Sequence, residues 1–488
     1  MENSIIVTPE HFLQHAIQPL WIWYDRFGDK SKKGQLPQAS VKQTEKDELY
    51  KQTFLSALTG PRVDEADPEK AFAKTLQLMK EGAPYICNGC IQIAHKEVLY
   101  RGRPDILERR AGHCVFGDWY YAPIEIKPVA KVEHVHKSQL AFYALILSKM
   151  QGYFPVVAKI INGQGQPVLV SLGEKGILKT REITKKIIDI LRGQKPEVNI
   201  ATKSKRSPWF DLEFQEAQEK KDISLIYNLN ERGIAGLRNV GINTLEDLVN
   251  CDVSALPKIP YATPLRIKRA WLQAKAILDN TVITMIKPQM PTALFTLYCT
   301  IIAQESAVYL IGIRVTGDVK QQYAKGCKKN IRMHDAQDGS YFIYFMANKL
   351  ENEVKMWFEF ISWVNNLPNE YVVYHYSHAP KIYLKKLAEK YDNTDDLKSF
   401  QDSLVSIKKT LEDSLALPLY FYSLKDVATS EFINFSWRQE KTDGDHWYKQ
   451  WLETQDKKLL ARILDHSEDT ACAMQKVFLF MCKKLEIQ

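Results

Sequence analysis

The stretch spanning residues 101–143 constrains the fold of this chain more than any other. It opens on RGRPDIL, passes through a short aromatic segment, alternates through YYAPIEIK and runs into HVHKSQLAFYALIL. Alternation is the period of a strand, so Ile124 and Ile126 face one side while Glu125 and Lys127 share the other. The last piece has helical spacing over residues 135–150. It sets Gln139 and Tyr143 one turn apart, on a face that also carries His136 and Leu147. Asp105 follows Arg-Pro near the end of a further strand, read over EVLYRGRPDIL. The segment between the two strands contains Gly and Asp and permits them to fold together.

Taken singly, a Glu-x-Lys pair reads as a solvated strand face, Arg-Pro-Asp as a turn boundary and Gln-x-x-x-Tyr as an ordinary helix. Their order on strand, strand and helix has chemical content. Asp105 and Glu125, with the backbone carbonyl of Ile126, are hard oxygen donors of the kind that suits Mg²⁺ with several retained waters. In phosphodiester hydrolysis such an ion lowers the pKa of the attacking water and stabilises transition-state charge. Lys127 would position the nucleophile or neutralise that charge. The arrangement resembles the PD-(D/E)xK nucleases and, within them, the RecB-type exonuclease domain. The resemblance implies metal binding by Asp105 and Glu125, a catalytic Lys127, and a third motif in Gln139 and Tyr143. It also implies Mg²⁺ or Mn²⁺ as cofactor and DNA, single-stranded or at an end, as substrate. RecB-type domains often bring an acidic or His residue from a preceding helix to the metal. In QTEKDELYKQTFLSAL the choice is Glu48, on the apolar stripe of Leu55 and Leu58.

Cysteines are at 87, 90, 114, 251, 299, 327, 472 and 482. Relatives with an iron–sulfur cluster carry one Cys before the catalytic strands and three after the third motif. No Cys precedes Cys87 or lies between Cys114 and Cys251, so no cluster is expected. Cys87 and Cys90 have no second pair nearby to complete a zinc site and read as reduced thiols. The 488 residues predict about three domains, and a net charge of +8 is compatible with a polyanionic partner without requiring one. No apolar run of 18 residues occurs and MENSIIVTPEHF is not signal-like, so the expectation is a cytoplasmic protein without membrane contact. No G-x-x-x-x-G-K-[ST] occurs either; family members are found beside helicases, so a helicase partner would be a separate protein.

Before the central stretch the sequence predicts interrupted helices over residues 1–60, with Thr8 as N-cap and Pro9 at the first turn, and a helix over 65–82. After it come strands in FPVVAKIIN and PVLVSLG and a helix in TREITKKIIDILRG. ATKSKRSPW reads as a basic linker. NERGIAGLRNVGINTLEDLV and LPKIPYATPLRIKRAWLQAKAI resemble helix-hairpin-helix modules, in which backbone N–H groups at a helix N-terminus meet a DNA phosphate. In the second, Lys258 and Pro260 replace the usual glycines and Pro260 cannot donate. Arg266, Lys268 and Arg269, with Lys258, are the candidate phosphate contacts.

The last third alternates strands and helices and resembles the RNase H-like domain that follows the nuclease domain in one bacterial family of RecB-like nucleases. That family places Asp-x-Glu where this chain has Thr296-Leu297-Tyr298. It keeps the Tyr-His-Tyr of residues 374–376, then expects an acid where Pro380 and Lys381 stand. Asp402 and Asp469 match the two later acids. Two-metal chemistry needs carboxylates on both sides of the ions, so this domain is expected to be catalytically degenerate. The expected architecture is therefore α/β and multidomain: a PD-(D/E)xK restriction-endonuclease-like core over 1–200, a linker and small all-α helix-hairpin-helix domain over 201–285, and an RNase H-like domain over 286–488. The leading functional expectation is a metal-dependent DNA exonuclease of repair, recombination or defence. The alternative is an inactive nucleic-acid-binding scaffold in a genome-maintenance or defence complex.

Overall fold

A computed structural model describes residues 5–129, 132–227, 229–291, 293–304, 307–317, 331–332, 340–368, 370–439 and 444–487. The chain divides into two compact units, Met1–Leu225 and Ile226–Gln488. The boundary falls inside the helical segment read over 201–285.

In the first unit, β1 (Ile5–Val7) precedes the helices α1 (Pro9–Ile17), α2 (Pro19–Phe27), α3 (Gln38–Ser56) and α4 (Pro68–Lys80). Strands β2 (Tyr85–Cys87), β3 (Ile91–His95), β4 (Val98–Gly102), β5 (Ile106–Cys114) and β6 (Gly117–Ile126) follow. Then come α5 (His134–Gln151), β7 (Val157–Ile161), β8 (Pro167–Ser171), α6 (Glu174–Leu191) and α7 (Phe210–Glu219). Thr8 caps α1 with Pro9 behind it, as the sequence predicts. The three-residue β1 is an addition, too short to announce itself by periodicity; it pairs in parallel with β4 in a sheet of order β1-β4-β3.

The run EVLYRGRPDIL is two strands rather than one. β4 and β5 belong to different sheets, and the chain turns between them at Arg103-Pro104-Asp105. Proline lacks the N–H a ladder needs and biases its predecessor away from helix, which favours a break here. The second sheet runs β2-β5-β6-β7-β8, antiparallel except for β6–β7, whose parallel connection requires a crossover that α5 supplies. Helix α5 is apolar around most of its surface: Leu140 through Ala144, Ile146 and Leu147 are all buried. Gly152, at φ +70°, ends it in the left-handed conformation that glycine adopts without steric cost. The segment read as a linker is packed instead. Trp209 is fully buried, stacks on Tyr24 at 5.3 Å and donates its indole N–H to Asp25 at 2.9 Å. Burying a side chain of that size is worth roughly 3 kcal/mol, enough to hold an otherwise basic, turn-rich stretch.

The second unit opens with α8 (Glu231–Arg238), α9 (Leu245–Asn250) and α10 (Pro264–Leu278), then β9 (Ile283–Thr284), β10 (Phe295–Gln304) and β11 (Ala307–Gly317). Next are β12 (Ile331–Arg332), β13 (Tyr341–Met346), α11 (Glu353–Val364), β14 (Tyr371–His375), α12 (Ala379–Lys390), α13 (Thr394–Asp402) and β15 (Leu404–Ser406). The unit closes with α14 (Ile407–Ser414), β16 (Leu415–Ala416), α15 (Leu424–Ala428), α16 (Gly444–Thr454) and α17 (Lys457–Leu485). Its main sheet runs β12-β13-β11-β10-β14-β15, with β10, β14 and β15 parallel and the rest antiparallel. Strand alternation divides the core. Leu297, Cys299 and Val373 enter one cluster with α11, α13 and α16, while Tyr298, Val372 and Tyr374 enter another with α14 and α17. Among the described residues, no helix is long and apolar enough to cross a membrane.

Candidate active site

The β5–β6 register builds the first site. Ile106 lies opposite Ile124 at the end of the paired register, and Asp105 and Glu125 are the next residues on the two chains. Both carboxylates are more than nine-tenths buried. One oxygen of Asp105 accepts the backbone N–H of Ile126 at 2.7 Å, which fixes the side chain against the end of β6. Ile124 and Ile126 pack with Leu55 of α3, Cys87, Ile106 and Ile161, so Glu125 is left to the opposite face, beside Tyr143 of α5, whose hydroxyl donates to the Arg103 carbonyl at 3.5 Å. Gly102 makes room for that tyrosine: a Cβ there would sit 2.5 Å from the Tyr143 ring. Lys127 lies just past β6, its N–H bonded to Ile161 at 2.9 Å and its ammonium 3.2 Å from Glu125.

The electrostatics follow from two buried acids brought together. Burial and the Asp105 charge raise the Glu125 carboxyl, against the opposing pull of Lys127 and Tyr143. Glu125 raises Lys127 in turn, with burial acting against it. Burial, then Glu125 and Asp105, push the Tyr143 phenol well above its ordinary value, so it stays a neutral donor.

Sequence reading did not name Lys51. Its ammonium is 2.7 Å from the second oxygen of Asp105 and 3.6 Å from Glu48. Burial works against its charge, but Asp105 prevails and raises its pKa. Glu48 itself is exposed and reaches the carboxylates only through Lys51. Lys51 and Leu55 share one face of α3, and Glu48 is the turn before Lys51. The signal was in the sequence, but a lysine ahead of two leucines also reads as a solvated cation covering an apolar edge. Gln139 points elsewhere: its amide donates to the Pro9 carbonyl at 3.0 Å and ties α5 to the start of α1.

Asp105 and Glu125 fit a hard divalent cation by donor type and by their mutual repulsion, and Lys51 now supplies the positive charge beside Asp105. Among the described residues, no group of three or more His, Cys, Asp or Glu side chains is placed to hold a metal. The described cysteines are free, with Cys87 and Cys90 buried; Cys327 lies outside the described residues.

In the second unit, Thr296 and Tyr298 stand where the resembled family carries acids. Tyr298 stacks on Tyr374 at 5.8 Å, and both rings meet Phe478 of α17, at 6.2 and 4.4 Å. An aromatic cluster therefore fills this position. Asp469 is buried and held by Arg438, whose backbone N–H and Nε reach its two oxygens at 2.8 and 2.7 Å. Arg438 also bonds Glu468 at 2.9 Å, and Arg332 bonds Asp465 at 2.6 Å. Asp402 is exposed at the end of α13. These acids are committed to arginines or to solvent.

Lys258, Arg266 and Lys268 are exposed, whereas Arg269 is paired with Asp413 at 2.8 Å and is not a free phosphate contact. At the turn into α9, the backbone N–H groups of Asn243 and Thr244 both donate to Asp247, each at 2.9 Å. A side-chain carboxylate thus takes the donors that a phosphate would use.

No curated protein matches the chain. Residues 304–481 match the family model of the RNase H superfamily, so the second unit contains an RNase H-like α/β domain, of the nuclease type. The matched segment begins at the last residue of β10, beyond Thr296 and Tyr298.

Proposed function

We propose that the chain is a metal-dependent DNA nuclease whose working site is in the first unit and whose RNase H-like domain does not cleave. The supporting observation is the buried Asp105–Glu125 pair, brought together at the end of one hairpin register with Lys127 at 3.2 Å from Glu125. In this reading residues 1–200 are a PD-(D/E)xK core of the RecB type, 201–285 a helix-hairpin-helix-like spacer and 286–488 the RNase H-like part.

Asp105, Glu125 and the Ile126 carbonyl would hold Mg²⁺ or Mn²⁺, which supplies Lewis acidity and an activated water for phosphodiester hydrolysis. Lys127 holds its ammonium beside Glu125, where negative charge on a transferring phosphoryl group would build up. Tyr143 stays neutral beside Glu125 and keeps its proton. Lys51 holds its ammonium 2.7 Å from Asp105 and balances that carboxylate's charge. Single-stranded DNA or DNA ends are the proposed substrate, with a separately encoded helicase as a candidate partner.

The test is cleavage of end-labelled single- and double-stranded DNA with Mg²⁺, Mn²⁺ or chelator, comparing wild type with Asp105→Ala and Lys127→Ala. Metal-dependent cutting that falls by about a hundredfold or more in both variants is expected. Cutting that survives both substitutions would place the active site elsewhere. A wild type that binds DNA but never cuts would favour the scaffold reading, to which the filled and arginine-locked positions of the second unit already lend weight.

A further inference from the structure

We propose that the first unit carries a second contact for single-stranded DNA, in a cavity of about 770 Å³ between the β3–β4 hairpin, α5 and α6. The proposal rests on the nuclease reading for its choice of ligand, but not for its geometry.

Two helical stripes line the cavity. Leu145 and Lys149 come from α5; Arg181, Lys185, Ile188 and Arg192 come from α6 and its last turn, at intervals that repeat one helix face. Ile93 and Tyr100 close the floor from the hairpin. Ile93, Tyr100, Leu145 and Ile188 are half-buried, so the floor is apolar yet reachable. Its rim carries Lys96, Lys149, Arg181, Lys185 and Arg192, all exposed, against the single carboxylate of Asp189. Among the described residues, none of these five is in an ion pair. On the neighbouring strands, by contrast, Arg101 is paired with Glu69 and both Lys159 and Arg110 with Glu108.

Five exposed cations around an aromatic and aliphatic floor repel one another, and the single carboxylate of Asp189 leaves the rim with a net positive charge. The ligand that satisfies both parts is a strand with flat apolar groups and regularly spaced anions: unstacked bases on Tyr100 and its neighbours, phosphates on the rim. A duplex, whose bases are already stacked, satisfies only the rim. Phe142, which lines the cavity 6.4 Å from Tyr100, is the chain neighbour of Tyr143 on α5.

The experiment is fluorescence anisotropy of a labelled 15-nucleotide oligothymidine with the full chain, in chelator, across a salt series. Wild type is compared with the double variant Lys185→Ala/Arg192→Ala and with Lys186→Ala, an exposed cation of α6 that does not line the cavity. The double variant is expected to bind about tenfold more weakly, and its slope of log affinity against log salt to be shallower by about 1.4, the loss of two phosphate contacts on a single strand. Lys186→Ala should match wild type. Equal losses in both variants would mean a diffuse surface effect and overturn the site, as would unchanged binding in the double variant or no binding by wild type. Retained DNA binding with lost adhesion to phosphatidylserine vesicles would reassign the cavity to a membrane surface and also overturn it. Metal-dependent cleavage in the Asp105→Ala comparison is read separately, so failure of the cavity and failure of the nuclease reading leave different signatures.

Discussion

Glu213 of α7 is fully buried and accepts the Ser207 hydroxyl at 3.0 Å. Burial pushes its carboxyl up to about 8, with Ser207 drawing it back and Glu216 adding to the rise. A carboxyl raised above its unfolded value of roughly 4.3 favours the fold fully at low pH, and that contribution is lost as pH rises through the folded value. Glu213→Gln keeps the shape and removes the charge. The expected outcome is that wild type loses up to a few kcal/mol relative to the variant between about pH 5 and pH 8, read as diverging thermal-denaturation midpoints. Midpoints that stay parallel across that range would show that the carboxyl is not protonated in the fold. Nothing in FDLEFQEAQE distinguishes this glutamate from its neighbours. Its hydrogen-bond partner Ser207 lies in the stretch read as a linker.

Helix α5 carries both parts of the third motif, yet the two residues do different work. Tyr143 faces Glu125, whereas Gln139 is bonded to the Pro9 carbonyl. Gln139→Ala should therefore cost about 1 kcal/mol of stability, the usual worth of one such bond, and leave Mn²⁺ affinity unchanged. Denaturant unfolding and calorimetric titration check the two halves. A large loss of cleavage at unchanged stability would return Gln139 to the reacting groups. Spacing made the helix and its polar pair legible, because i and i+4 share a face in any helix. It did not say that α1 would begin within reach of the first member of the pair. Glu48 and Lys51 differ in the same way: one turn of α3 decides which of them meets Asp105, and packing of Leu55 under β6 sets that turn.

Within the second unit, α17 holds Asp465, Glu468 and Asp469 against Arg332 and Arg438. With two of these acids buried, the arrangement serves to neutralise charge. Arg438→Met should destabilise the protein by about 2 kcal/mol, below the usual cost of stripping a buried pair because this arginine is itself 39% exposed. It should not create cleavage activity in an Asp105→Ala background, since Thr296 and Tyr298 still occupy the place of the missing acids. Activity gained in that double variant would show the second site to be masked rather than lost. Local sequence determined much of this protein: the alternation that makes Glu125 and Lys127 neighbours, the Thr8-Pro9 start of α1, the missing acids at Thr296 and Tyr298. These are statements about period and residue type, which a chain carries wherever it folds. Tertiary structure alone decided that Asp105 meets Glu125, that Lys51 rather than Glu48 is the neighbour of Asp105, that Arg438 closes on Asp469, and that cations gather around Tyr100. Each depends on residues far apart in sequence meeting in a core whose register and packing no local pattern specifies.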